Sequence, residues 1–82
     1  MPRVLVVDDE RKMRRVLQIM LEQMGLESLA ADNGEQAVEL FDGEKIDLVL
    51  TDLKMPGMTG IELIERIRTL DPDVPVIVLT AY

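Results

Sequence analysis

Hydrophobic positions along the chain alternate between short continuous runs and longer segments with helical spacing. Val4–Val7 is an apolar run typical of a buried parallel strand, and Asp8-Asp9 ends it. In Arg11–Met24 the apolar residues recur three or four positions apart, and Gly25 follows as a C-terminal cap, so this segment predicts an amphipathic helix. We expect its methionines to pack in the core; they are Met13, Met20 and Met24.

The next part of the chain repeats this order. Leu26–Ala31 predicts a weaker strand that suits a sheet edge, because polar residues interrupt it. Asn33 resembles a helix N-cap with Gln36 as its reciprocal partner, and Gly43 ends the helix that they open. Ile46–Leu50 is a third apolar run and predicts a third strand, which leads into Thr51-Asp52.

A third helix and a fourth strand follow. Thr59 and Glu62 have the spacing of a capping box, Asp71-Pro72 stops the helix, and Val74–Leu79 predicts the last strand. That strand is apolar on both faces, which is typical of a strand inside a sheet. The helix is expected to turn five apolar residues toward a core, namely Ile61, Leu63, Ile64, Ile67 and Leu70.

Four strands alternating with three helices predict an α/β fold, an open parallel sheet with helices on both faces. The 82 residues form one domain, since no repeat, linker or low-complexity segment divides them. In such sheets a ligand site lies at the carboxyl ends of the strands, so the residues at those ends are the candidates for function.

The amino-acid composition and net charge exclude several classes of protein and of functional site. The chain has no Cys and no His, which excludes zinc fingers, disulfide frameworks and His-dependent catalytic triads. Its net charge of −7 argues against direct nucleic-acid binding. No apolar run approaches the length of a membrane span, and no signal-peptide pattern opens the chain, so we expect a cytoplasmic protein.

Acidic residues stand at two of the predicted strand ends. Asp8 and Asp9 follow the first strand and Asp52 ends the third, while Thr80 follows the fourth. If the first and third strands are neighbours, about 4.8 Å apart, the three carboxylates meet. Such a cluster either raises a pKa or recruits a cation, and oxygen ligands alone favour Mg²⁺. A hydroxyl from Thr80 is then placed to bind a phosphate.

Simpler explanations compete at each position. An Asp between a strand and a helix is often an N-cap, Asp52 also suits a turn, and Thr80 alone suits a strand end. Arg11 and Lys12 weigh against simple capping of the first helix, because cations in a first turn oppose the helix dipole. The combination of polar residues on three strand ends favours a charged site.

The segments VLVVDDE, DLVLTDLKMPGMTGIELI and VPVIVLTAY resemble the receiver domain of bacterial two-component response regulators. The segments TDLKMPGMTG and VIVLTAY are similar in sequence to the corresponding segments of receivers of the nitrogen-regulation class. The resemblance implies a flavodoxin-like sheet with strand order 2-1-3-4. It also implies a phosphorelay module, not an enzyme, that accepts a phosphoryl group from a sensor histidine kinase. In the intact protein, the resemblance implies regulation of transcription through an AAA+ ATPase and a DNA-binding output domain.

The resemblance also assigns roles. Asp52 is the phospho-acceptor and also a Mg²⁺ ligand. Asp9 is a direct Mg²⁺ ligand, Asp8 is a ligand through water, and Lys54 contributes its backbone carbonyl. Apart from the resemblance, we expect the Lys54 side chain to point to solvent. The hydroxyl of Thr80 and the backbone amide of Ala81 contact the phosphoryl group. In the family, movement of that hydroxyl shifts an inactive state toward an active one.

The sequence departs from the family after its fourth strand. The sequence lacks the family's fifth strand with its lysine, the aromatic switch residue and two helices, and Tyr82 cannot replace the aromatic residue. Residues 1–82 are therefore interpreted as a truncated receiver. We expect the open fourth strand to associate into a homo-oligomer. Two alternatives stay open: an assembly-forming fragment without phosphotransfer, and an aspartyl-phosphate phosphohydrolase, although the latter often carries a DxDxT pattern that differs from Asp8-Asp9-Glu10.

Overall fold

A computed structural model of the chain describes residues 2–55 and 57–79. The predicted alternation of strands and helices is confirmed, with strand bounds that differ by one or two residues. The third and fourth strands each begin two residues later than expected, so the buried Ile46 and Val74 lie before them, and the third strand extends to Asp52. The elements are β1 (Arg3–Val7), α1 (Arg11–Gln23), β2 (Glu27–Ala31), α2 (Gly34–Gly43), β3 (Leu48–Asp52), α3 (Gly60–Leu70) and β4 (Val76–Leu79).

The four strands form one parallel sheet in the order β2-β1-β3-β4, as the family resemblance implied. The central strand β1 pairs on both sides, Val7 lying beside Ala31 of β2 and beside Thr51 of β3. At the other side of β3, Asp52 lies beside Leu79 of β4. The strand that carries the acidic pair and the strand that ends in Asp52 are therefore neighbours.

Helices cover both faces of the sheet. On one face, α2 and α3 pack against Leu5, Val7 and Val49 through a shared apolar core that includes Leu63 and Ile67. On the other face, α1 packs through Leu17 and Leu21, where Val4, Val6 and Leu50 form the floor. Burial on both sides explains why β1 and β3 are continuous apolar runs without alternation.

The expectation that the methionines of α1 pack in the core is wrong. Met13, Met20 and Met24 are exposed, Met24 by 70%. The helix contacts β1 and β2 through Leu17 and Leu21, so the adjoining stripe that carries these methionines is turned away from the described core. The apolar spacing predicted the correct side of the helix, but the apolar stripe is wider than the part of the helix surface that the sheet covers.

Two residues of α3 also differ from expectation. Leu63 and Ile67 are fully buried, whereas Ile61 and Leu70 are largely exposed. Ile61 precedes Leu63 by two positions, which is about 200° around a helix, so the two side chains lie on opposite sides. Leu70 is the last residue of the helix, at its C-terminal end.

Helix caps agree with the sequence in most details. Thr59 and Glu62 form the predicted capping box of α3. Asn33 accepts a hydrogen bond from the Gln36 amide at 2.8 Å, as an N-cap does, but the Gln36 side chain accepts from the Asp32 amide and not from Asn33. The reciprocal bond is therefore displaced by one residue from the expected capping box.

Candidate metal and phosphorylation site

Three carboxylates converge where β1 and β3 end. Because Val7 lies beside Thr51, one further step along both strands places Asp8 beside Asp52. Oxygen atoms of Asp8, Asp9 and Asp52 all lie within 4.8 Å of one another. Asp8 and Asp52 are buried and Asp9 is exposed, so the cluster opens to solvent on one side. The residues that the sequence singled out are therefore together in space.

Main-chain amides hold the two buried carboxylates. The Glu10 amide donates to Asp8 Oδ1 at 2.8 Å, and the Lys54 amide donates to Asp52 Oδ1 at 3.3 Å. The N-cap residue of α1 is Glu10, which makes no side-chain capping bond. Simple N-capping by Asp8 or Asp9 thus does not explain the acidic pair, although Asp8 does satisfy one amide at the entrance to the helix.

The cluster is electrostatically costly. Burial raises the pKa of Asp8 above its ordinary value of 3.8, and the charges of Asp52, Asp9 and Glu10 raise it further, against the opposing hydrogen bond from the Glu10 amide. A carboxyl group whose pKa is higher in the folded than in the unfolded protein lowers the free energy of unfolding when it is ionised. A cation bound between these oxygens would relieve that cost.

The donor set suits Mg²⁺. All candidate ligands are oxygens, the cluster faces solvent on one side, and a hard ion that retains waters fits such a site. Lys54 is exposed, as expected for a side chain that points to solvent, and its amide, not its side chain, contacts Asp52. The assignment of its backbone carbonyl as a ligand stays a prediction.

Two predicted site residues, Thr80 and Ala81, lie outside the described residues, as do Pro56 of the loop and Tyr82. The last described residue, Leu79, pairs with Asp52 in the sheet register. The predicted phosphoryl contacts by Thr80 and Ala81 therefore stay predictions from the resemblance.

Gly60 is a positioning residue that sequence reasoning treated only as loop punctuation. A Cβ atom added to this glycine would lie 2.3 Å from the Asp52 carbonyl oxygen and 2.8 Å from the Leu53 Cα. The Gly60 amide also donates to the Leu53 carbonyl at 3.0 Å. The N-terminus of α3 thus lies directly against the backbone that carries Asp52, and only a residue without a side chain fits there. A glycine at the first position of a helix was the available signal.

Comparison with known proteins decides the family. The family model described as the response regulator receiver domain matches residues 4–82. The chain belongs to the response-regulator receiver family. Receiver domains are the regulatory modules of response regulators that accept a phosphoryl group from a histidine kinase. The interpretation drawn from the sequence motifs is thereby confirmed at the level of the family.

Individual relatives agree with this assignment. The receiver is 40% identical to sporulation initiation phosphotransferase F of Bacillus subtilis, over 98% of this chain and 64% of that protein. It is 42% identical to the transcriptional regulatory protein ZraR of Klebsiella oxytoca, over 96% of this chain and 18% of that protein. The chain thus spans less than two thirds of the length of these relatives.

Solved structures share the fold. The response regulator TrrA of Thermotoga maritima in complex with Mg²⁺ and BeF is 44% identical, with a TM-score of 0.95 over 100% of this chain and 71% of that chain. TrrA in complex with the histidine kinase ThkA is also 44% identical, with a TM-score of 0.93 over the same shares of the two chains.

The close approach of Gly60 to Asp52 gives a first prediction. Gly60→Ala should displace the Asp52–Leu53 backbone and weaken Mg²⁺ binding, because the added methyl group meets backbone atoms that cannot move independently. Mg²⁺ titration followed by NMR chemical shifts measures the effect, which we expect to be about tenfold or more. Gly43→Ala is the matched control, since its added methyl group has nothing within 4 Å. Equal Mg²⁺ affinity in the two variants would contradict this role.

The raised pKa of Asp8 gives a second prediction. At neutral pH Asp8→Asn should increase the free energy of unfolding of the metal-free protein, because the amide keeps an oxygen for the Glu10 N–H and removes the charge. The gain should shrink as pH falls through the raised pKa, since the wild-type carboxyl then becomes protonated. Urea unfolding at several pH values tests this, with Asp42→Asn on the exposed surface of α2 as control. A pH-independent difference would show that charge is not the cause.

Proposed function

We propose that this receiver accepts a phosphoryl group on Asp52 from a sensor histidine kinase, in a reaction that depends on Mg²⁺. The observation that carries the proposal is the convergence of Asp8, Asp9 and Asp52 at the ends of neighbouring strands. The complexes of TrrA with Mg²⁺ and BeF and with the kinase ThkA support it by similarity. Residues 1–82 act in this proposal as one phosphoacceptor unit.

The chemistry assigned to Asp52 is nucleophilic. A carboxylate oxygen of Asp52 forms a bond to phosphorus while the bond from phosphorus to the histidine nitrogen of the kinase breaks, which leaves an acyl phosphate on Asp52 and a free histidine on the kinase. The Lys54 amide holds Asp52 Oδ1, which leaves Oδ2 available for the attack. Asp8, Asp9, Asp52 and the Lys54 backbone carbonyl would hold the ion, and Mg²⁺ bound there would offset negative charge on the transferring group.

The cellular setting follows from similarity alone. ZraR carries the name of a transcriptional regulatory protein, which supports a role in transcription for the intact protein here. An AAA+ ATPase and a DNA-binding domain as its output are proposed from the resemblance to receivers of the nitrogen-regulation class. Within the described residues, no helix is long and apolar enough to cross a membrane. We propose a cytoplasmic site of action, and contacts of Thr80 and Ala81 with the phosphoryl group, on the basis of the family.

Phosphorylation of Asp52 is directly testable. Incubation with acetyl phosphate and Mg²⁺ should add one phosphoryl mass that is lost at alkaline pH, and Asp52→Asn should abolish it because an amide oxygen is too weak a nucleophile. Intact-mass spectrometry measures the adduct. Asp42→Asn, an exposed acid on α2, should label like the wild type.

The outcomes separate the alternatives. An equal adduct in Asp52→Asn would show that another residue is the acceptor. No adduct in the wild type would favour an assembly fragment without phosphotransfer, and rapid turnover of added phosphate monoesters would favour a phosphohydrolase.

We also propose that the receiver associates with a second copy through β4. Within residues 2–55 and 57–79, β4 pairs only with β3, so the backbone groups along its other edge have no described partner. Ile77 and Val78 are exposed beside that edge, and they point to opposite faces of the sheet. A second β4 running antiparallel about a twofold axis would pair the backbone groups and cover both side chains.

A lysine in β4 tests this association. Ile77→Lys should raise the dissociation constant at least tenfold, which corresponds to about 1.4 kcal/mol, because pairing would place two like charges near one axis. Sedimentation equilibrium over a concentration series measures it. Ile61→Lys, a comparably exposed isoleucine on α3, is the control and should leave association unchanged. A wild-type protein that is monomeric and cooperatively folded at all concentrations would refute the proposal.

A further inference from the structure

The main-chain carbonyl of Asp8 lies where β1 leaves the sheet. The Asp8 amide still extends the ladder, donating to the Ala31 carbonyl at 3.2 Å. The carbonyl of the same residue accepts instead from a side chain of α1: Arg14 Nη1 donates to it at 2.8 Å. Arg14 is half-buried, so this bond forms away from bulk water, where a hydrogen bond from a charged donor is strong.

That carbonyl belongs to the peptide that joins the two acidic residues. A peptide group is planar, and the Asp8 amide is already held in the sheet. A hydrogen bond to the Asp8 carbonyl oxygen therefore restrains the ψ angle of Asp8 and with it the direction in which the chain continues to Asp9. The Asp8 side chain is held separately by the Glu10 amide at 2.8 Å. The start of α1 therefore fixes Asp8 at two atoms, and the bond from Arg14 is the one that acts on the peptide leading to Asp9.

We infer that Arg14 is a positioning residue of the proposed Mg²⁺ site. By holding the Asp8 carbonyl it orients the Asp8–Asp9 peptide, so that the exposed Asp9 carboxylate meets those of Asp8 and Asp52. The inference rests on the proposed function, because it concerns the same ion. It makes metal affinity depend on how α1 is seated against the sheet, through a residue that contacts no metal.

The alternative is that Arg14 acts only through its charge. Within the described part of the chain, the ion pairs formed both involve Arg3, so Arg14 contacts Asp8 through the carbonyl and not through a carboxylate. The two explanations predict opposite changes in Mg²⁺ affinity when Arg14 is replaced. A cation near a cation site repels the metal, so loss of charge alone should strengthen Mg²⁺ binding, whereas loss of positioning should weaken it.

Two neighbouring arginines provide the test. Arg14→Met removes the donor and the charge, while Arg15→Met removes the same charge from an exposed position whose side chain makes no hydrogen bond to the described residues. We expect Mg²⁺ affinity, measured by NMR titration of the 82-residue chain, to fall about tenfold in Arg14→Met and to stay equal or rise in Arg15→Met. Arg14→Lys keeps a donor but ends one bond earlier, so its affinity should lie between the wild type and Arg14→Met.

Each outcome is decisive. Wild-type or tighter Mg²⁺ binding by Arg14→Met would overturn the inference, as would an Arg14→Lys variant no better than Arg14→Met. If Arg14→Met does not fold, Arg14→Lys with a native spectrum decides alone: reduced affinity supports the role and unchanged affinity overturns it. Failure of the wild type to bind Mg²⁺ would instead overturn the proposed function, and the inference with it.

Discussion

Mutual repulsion among three carboxylates is the constraint on which the functional edge of this receiver depends. Asp8 and Asp52 are buried side by side with Asp9 next to them, and burial together with the neighbouring charges raises the pKa of Asp8. Such an arrangement persists only if the rest of the structure holds it rigidly. The strands β1 and β3, buried at all but their first residues, provide that rigidity, because side chains on both faces fix their register.

The site is held mostly by the backbone. Amides at positions 10 and 54 hold one oxygen each of Asp8 and Asp52, and Gly60 allows α3 to lie directly against the Asp52 backbone. Main-chain donors are suited to this task, since they bind a carboxylate without adding a titratable group or a flexible side chain. The carboxylates keep further lone pairs, which the proposed metal binding and phosphoryl transfer require.

The sequence predicted the order of elements and the residues at the strand ends, because apolar runs and the acids that follow them are local patterns. It could not predict which apolar side chains are exposed. Met20 and Ile61 fit a helical stripe, but whether a neighbour covers a stripe depends on how each helix is seated. The contacts of Arg14 and Gly60 were missed for a related reason. Each joins a helix to a strand end, and that geometry exists only after the sheet and helices have packed.

Binding of a metal ion by this carboxylate cluster would be linked to folding. A ligand that binds only the folded chain stabilises it by an amount that grows with the logarithm of its concentration above the dissociation constant. In the metal-free protein the ionised Asp8 opposes folding, so a bound cation both adds its own interactions and removes an unfavourable one. The ionised Asp8 therefore lowers the stability of the metal-free chain at the end of β1, where the carboxylate cluster is held. Because Arg14 of α1 donates to the Asp8 carbonyl, a change in the charge of the cluster would act on α1 through that hydrogen bond. In the proposed reaction, one acidic cluster would therefore be both the site of phosphoryl transfer and the point from which its charge state acts on the rest of the fold.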